Sequence, residues 1–298
     1  MKTVSVYGKC ALALLVMAGA ITGSAQYKQP GSVNANDGMN WQLVKTGLYL
    51  ISGQGSNSLL RLTGNGLVLV DGKLPGNYDA LRARIKKISG QPVRALILTD
   101  TDASRTGTNA KFLADGTPIV VQENARQSLA SDNSAGEKNS PVVTYDRDYQ
   151  IRLGGVDVQL MYLGNARSNS DTVVYFPNLK VVAVGDLFAS TPTPDFAAGG
   201  SLVGWSSVLG QILKLDFDTV VPGTGPPITR AELESFKTKI DTLLSRATGL
   251  VSKGVPKDQL MAQLKTDDLG WQLNFTGSQL DRFYAELTRT NGRPTNPS

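Results

Sequence analysis

Two aspartates one residue apart, Asp100 and Asp102, follow the apolar run VRALILT at Val93–Thr99. Carboxylates so placed can share acid and base roles of the glycosidase kind, or help to hold a hard cation. The side chain that most often accompanies them is missing, because none of the 298 residues is histidine. Imidazole is the commonest zinc ligand and the group best suited to proton transfer near neutral pH. A Ser-His-Asp triad, a Cys-His pair and any His-dependent zinc site are therefore excluded. The serine-hydrolase elbow G-x-S-x-G, a Ser-x-x-Lys pair, a Walker loop and G-x-G-x-x-G are absent too.

The elements that must position these aspartates follow from the hydrophobic pattern. From Trp41 the runs WQLVKTGLYLIS, NSLLRLT and GLVLVDG are separated by Gly and polar residues, which predicts consecutive short antiparallel strands. Leu81, Ile85 and Ile88 recur at helical spacing within Asn77–Ser89. VRALILT, apolar apart from Arg94, reads as a buried strand. Helix-like TNAKFLA and ENARQSLA flank the strand-like TPIVVQ, and a second strand cluster follows: PVVTYDR, YQIRL, VDVQLMYL, TVVYFP and KVVAVGD. The last third is helical, with a capping box at Thr229-Arg230-Ala231-Glu232 and an apolar face of Leu233, Phe236, Ile240, Leu243 and Leu244. Gln279–Thr288 closes the chain with Leu280, Phe283, Tyr284 and Leu287 at helical spacing. Two strand-rich halves, each followed by helices, predict two sheets packed face to face with helices outside.

Composition narrows the setting. Lys2 and Lys9, the apolar run Ala11–Ile21 and the small residues Gly23-Ser24-Ala25 read as a secretory signal peptide over residues 1–25, implying export to a periplasm or medium. The apolar run is short for a membrane span and no second one follows, so no stable span is expected after cleavage. Cys10, the single cysteine, falls inside this leader and leaves a mature chain without thiols. Net charge is +5, and losing Lys2 and Lys9 brings it to +3. The basic residues are scattered, which gives no nucleic-acid footprint. Residues 26–40 read as a flexible leader, 41–290 as one domain, and 291–298 as a flexible tail.

Several segments together resemble the metallo-β-lactamase-fold hydrolases, over nearly the whole mature chain. GLYLISGQGSNSLLRL and GLVLVDG, with Asn57-Ser58 and Asp71-Gly72, are similar to the family's opening hairpins. ILTDTDASRTGTN stands where that family carries His-x-His-x-Asp-His-x-Gly. There Asp100 and Asp102 take the first two histidine places, Ser104 the aspartate and Arg105 the last histidine. LGNARSNSDTVVYFP puts Arg167 at the third zinc histidine, VVAVGDLF retains the bridging Asp186, and VVPGTGPP has Thr224 for the final histidine.

The resemblance implies an α/β (α+β) fold, a four-layer αβ/βα sandwich, with these seven positions converging in one cleft. It also implies zinc as the family cofactor, but here five histidine positions are altered and only Asp186 survives among the ligands. Arginine stays protonated and offers no lone pair to a metal. No cofactor is therefore expected; Asp100, Asp102 and Asp186 are at most weak candidates for a hard cation, which the neighbouring arginines oppose. Arg105 and Arg167 are expected each to pair with one of those three carboxylates, and together to suit an anionic small molecule. Two functional readings follow: an exported pseudoenzyme acting as a binding or scaffold module, or a hydrolase of esters, lactams or phosphoesters with a reorganised carboxylate/arginine or hard-metal site.

Overall fold

The computed structural model describes residues 38–131 and 141–291. The expected signal peptide, Cys10, the leader up to residue 37 and the tail from residue 292 lie outside the described residues. The first sheet runs in chain order through β1 (Asn40–Lys45), β2 (Leu48–Ser52), β3 (Ser58–Thr63), β4 (Gly66–Val70), β5 (Val93–Ile97), β6 (Ile119–Gln122) and β7 (Val142–Tyr145). Strands β1–β4 pair antiparallel through short turns, whereas β4–β7 pair parallel. Parallel neighbours need crossovers. These are helix α1 (Tyr78–Ile88), then α2 (Ala103–Thr106) with α3 (Asn109–Ala114), then α4 (Ala125–Ser131).

The second sheet begins with antiparallel β8 (Asp148–Leu153), β9 (Val156–Met161), β10 (Val173–Phe176) and β11 (Val181–Gly185). After α5 (Leu202–Ile212), β12 (Thr219–Pro222) lies parallel to β11, and the two-residue β13 (Ile228–Thr229) covers its edge. Helices α6 (Arg230–Ser252), α7 (Lys257–Gln263) and α8 (Gly277–Asn291) complete the chain.

Three apolar clusters make the layers. Leu60, Leu69 and Leu96 pack under Leu81 of α1, Phe112 of α3 and Leu129 of α4. Leu50, Val68 and Ile97 of the first sheet meet Val158, Val174 and Phe176 of the second. On the far side Val182 and Val220 pack against Trp205 of α5, Phe236 and Leu243 of α6, and Phe283 of α8. The result is the expected helix–sheet–sheet–helix stack, and it explains why GLVLV and VVAVG are buried along their whole length: each has a layer on both faces. Helix α5 was not among the sequence expectations. Its start is set by Ser201, whose hydroxyl accepts from the Gly204 N–H, and Trp205 is anchored by donating its indole N–H to Leu187 O at 2.9 Å.

The capping box read from Thr229 and Glu232 is present: the Glu232 carboxylate accepts from the Thr229 N–H at 2.7 Å, and the Thr229 hydroxyl accepts from the Glu232 N–H. Thr229→Ala should therefore lower stability by about 1 kcal/mol, measured as a shift of the urea midpoint without a change of slope.

Candidate functional site

The site forms where strand ends from both sheets meet. Because β4 and β5 run parallel, Asp71 and Asp100 leave the first sheet along the same edge. Parallel β11 and β12 likewise bring Asp186 and Gly223 to one edge of the second. Carboxyl ends of parallel strands are where α/β folds usually place ligands. Hydrogen bonds tie the two rims together. Thr172 N–H donates to Thr99 O at 2.7 Å and Asn57 N–H to Gly223 O at 2.7 Å. The Asn57 amide also donates to Pro222 O at 2.9 Å and Gly225 O at 2.8 Å, so this landmark residue clamps the loop after β12.

Arg105 occupies the centre. It stands on the short helix α2, which Asp102 caps by accepting from the Ser104 N–H at 2.8 Å. Its side chain is 1% exposed. Nε lies 3.5 Å from Asp71 Oδ2, Nη1 lies 3.2 Å from Asp100 Oδ2, and Nη2 donates to Asp186 Oδ1. Ser104 Oγ stands 3.5 Å from Nη1. Gly223 is required here, because a Cβ would overlap both Arg105 Nη2 and Asp186 Oδ1.

One guanidinium cannot neutralise three carboxylates, and the protonation tendencies reflect this. Burial pushes the Asp71 carboxyl up to about 7, against the pull of Arg105 and two bonds from Thr99. Burial likewise raises Asp100, again opposed by Arg105. Arg105 itself stays firmly charged: burial disfavours the cation, but Asp100, Asp71 and Asp186 more than offset it. At Asp102 burial acts upward, and the Ser104 bonds with the arginine charges bring the carboxyl below its usual value.

The expected residues divide among three environments. Asp100, Asp102 and Arg167 line one small cavity of about 140 Å³ together with Ser168 and Asp195. Arg105 joins Asp186 to Asp100 and Asp71 beneath that cavity, while Ser104 packs on the opening hairpin by accepting from Ser56. Thr224 lines a neighbouring cavity of about 430 Å³ with Trp41 and Asn57.

The pairing expected for Arg167 is also corrected. Its ion-pair contact is with Asp195, at 3.8 Å between half-exposed side chains, and its charge reaches Asp102 only through space. The loop geometry causes this: Asp195 N–H donates to Arg167 O at 2.7 Å, which fixes the two residues side by side. Arg105 is buried, so of the two arginines Arg167 is the one that lines the cavity.

Sequence reasoning missed Asp71 as an ion-pair partner, together with Asp195, Asp171 and Lys73. Lys73 is wholly buried; its ammonium donates to Ile51 O and Ser56 O, and burial lowers its pKa to about 7. Asp171 accepts from Ser168 N–H at 2.8 Å and Ser168 hydroxyl at 2.9 Å, and burial raises its carboxyl to about 7. A signal existed only for Asp71, a carboxylate that ends the apolar run GLVLV.

The donor set does not suit zinc. Among the described residues no group of three or more His, Cys, Asp or Glu side chains is arranged to hold a metal. The carboxylates that converge do so on a guanidinium, a fixed cation where a metal ion would have to sit.

Two sheets with outer helices and a charged rim at their strand ends place the chain in the αβ/βα sandwich class. The family model of the metallo-beta-lactamase superfamily matches residues 51–224, and the chain belongs to that superfamily. It is 25% identical over 215 residues to the 2,4-dinitroanisole O-demethylase subunit alpha of Nocardioides sp. (strain JS1661), covering 72% of this chain and 63% of that protein's length. It is 28% identical over 189 residues to the type 2 metallo-beta-lactamase of Bacillus cereus, covering 61% and 72%. The metallo-beta-lactamase of Pontibacter korlensis superposes with a TM-score of 0.61 at 21% identity, over 68% of this chain and 99% of that one.

Two predictions come from this geometry. Arg105→Ala should cost about 3–5 kcal/mol near neutral pH and less in acid, where the stranded carboxylates take up protons. Arg167→Ala should cost at most about 1 kcal/mol, as for an exposed pair; denaturant melts of both variants check the contrast. The second prediction concerns Asp171, whose carboxyl lies at about 7 in the fold against an ordinary 3.8. Its folded value is the higher, so its contribution is full below about pH 4 and is lost as pH rises through 7. Asp171→Asn should therefore remove up to about 1.4 kcal/mol per pH unit of that decline, read from stability curves between pH 4 and 8.

Proposed function

We propose that this protein is a non-hydrolytic member of the metallo-β-lactamase superfamily, an exported pseudoenzyme that serves as a small-molecule binding or scaffold module. The observation that carries the reading is Arg105, buried and in contact with Asp71, Asp100 and Asp186. In this reading the arginine supplies the positive charge that a metal supplies elsewhere in the superfamily, so the rim keeps its shape without zinc. It supplies no Lewis acid and no bound hydroxide, the two things that make a zinc site hydrolytic. The cavity beside it, about 140 Å³, is also well below the several hundred cubic ångströms usual for drug-sized ligands.

The competing reading is a hydrolase with a reorganised carboxylate/arginine or hard-metal site. It is favoured by the similarity to a lactamase and to a demethylase subunit. One set of measurements on the purified mature chain separates the two: calorimetric titration with zinc, magnesium and manganese, and a turnover screen with ester, lactam, thioester and phosphoester chromogens. No stoichiometric metal site and no turnover are expected. A submicromolar metal site, or turnover abolished by Asp100→Asn, would overturn the pseudoenzyme reading. Restoring the family's residues through Asp100→His, Asp102→His, Ser104→Asp, Arg105→His, Arg167→His and Thr224→His should create zinc binding, because the strand ends that carry these positions are already in place.

A further inference from the structure

We propose that the cavity between Asp100, Asp102, Arg167 and Asp195 is a site for a small zwitterion of the α-amino-acid type. Its carboxylate would lie on Arg167 and its ammonium on Asp100 and Asp102. The inference rests on the metal-free reading above and names the ligand class of that same site.

Arg167 is the starting point. A guanidinium carries five N–H donors in a fixed planar fork. Among the described residues the Arg167 side chain donates no hydrogen bond, and its one ionic contact, to Asp195, is 3.8 Å long. Asp195 is not free to close on it. Its Oδ1 accepts from the Ala197 and Ala198 N–H groups at 3.0 and 3.1 Å, which holds the carboxylate in its own loop. The arginine therefore faces the cavity with its fork unfilled, and a carboxylate is the group that fills such a fork in two parallel bonds.

A bare anion does not suit the remaining walls. Asp100, Asp102 and Asp195 surround the same small space, so a carboxylate entering alone meets more negative than positive charge. Asp102 has no ion-pair partner among the described residues, and its carboxyl lies below its ordinary value, so it is ionised near neutral pH. Asp100 is held in place by the Asp102 N–H at 2.8 Å and by Arg105. These two carboxylates offer acceptors to an ammonium. A bare amine would satisfy them but leave the Arg167 fork empty. A molecule with both charges a bond or two apart matches both walls at once.

Size limits the ligand further. A cavity of about 140 Å³ holds the volume of about five water molecules. That suits an α-amino acid with a small side chain.

The test uses the mature protein and four probes: glycine, alanine, acetate and methylamine, compared by calorimetry at matched ionic strength. Glycine and alanine should bind at millimolar concentration or better, at least about tenfold more tightly than acetate or methylamine. Arg167→Gln and Asp102→Asn should each weaken glycine binding by about tenfold or more, while Lys253→Gln at the end of α6, which changes the charge as Arg167→Gln does, should not. Both wall residues are partly or fully exposed, and unfolding melts confirm that their variants remain folded. Acetate binding as tightly as glycine would make this a simple anion site, and methylamine doing so a simple cation site; either overturns the proposal. So does the lack of any heat with both amino acids. If they fail to bind while no metal site is found, this inference alone falls; a tight zinc site would instead remove the reading beneath it.

Discussion

One buried guanidinium holds the charged rim of this molecule together. Arg105 brings Asp71 from the end of β4, Asp100 from beyond β5 and Asp186 from the end of β11 to one guanidinium. Those carboxylates come from two sheets, so the contact joins the halves of the sandwich at the edge where the apolar core stops. Taking so many charges out of water is costly, and that cost is offset by the attraction of one guanidinium for three carboxylates within ion-pair distance. The backbone is adapted to it. Asp71 adopts a positive φ of 60°, held there by Thr99, and Gly223 leaves the room that a side chain would fill.

An arginine and a zinc ion solve the same electrostatic problem differently. Both neutralise clustered carboxylates, but only the metal has open coordination positions that polarise a substrate or acidify water. The guanidinium contacts three carboxylates and lies below the surface, with its Nε left without a hydrogen bond. What remains accessible is the shallower layer of Asp102, Arg167 and Asp195, where the partners are looser and farther apart. The rim thus has a buried tier around Arg105 and a more accessible polar tier around Arg167.

Much of the architecture is legible in the sequence. Apolar runs marked β4, β5 and β11 as strands, helical spacing marked α1, α6 and α8, and Thr229 with Glu232 marked the start of α6. Helix α5 was not anticipated, although Trp205 and Leu209 lie fully buried on it, because LVGWSSVLGQI is apolar enough to suit strand or helix alike. The charge partners were legible only in part. Arg105 was correctly expected among Asp100 and Asp186, while Arg167 was assigned to the same group and found with Asp195 instead.

That division has a physical origin. Residue types alone determined which chemistries are closed to this chain: with no histidine and a single cysteine it offers zinc no imidazole and at most one thiolate, whatever its shape. Hydrophobic period alone determined the layers, since burial of apolar faces is non-directional and tolerates error in the path of a loop. Ion pairs do not tolerate it. Whether Arg167 meets Asp102 or Asp195 turns on a few ångströms and on a backbone bond between the loops that carry them. Whether Asp71 faces a cation depends on two strands lying parallel, and the burial of Lys73 depends on carbonyls from a different hairpin. Tertiary structure alone decided those contacts, because their partners are distant in the chain and their energies fall steeply with distance and geometry.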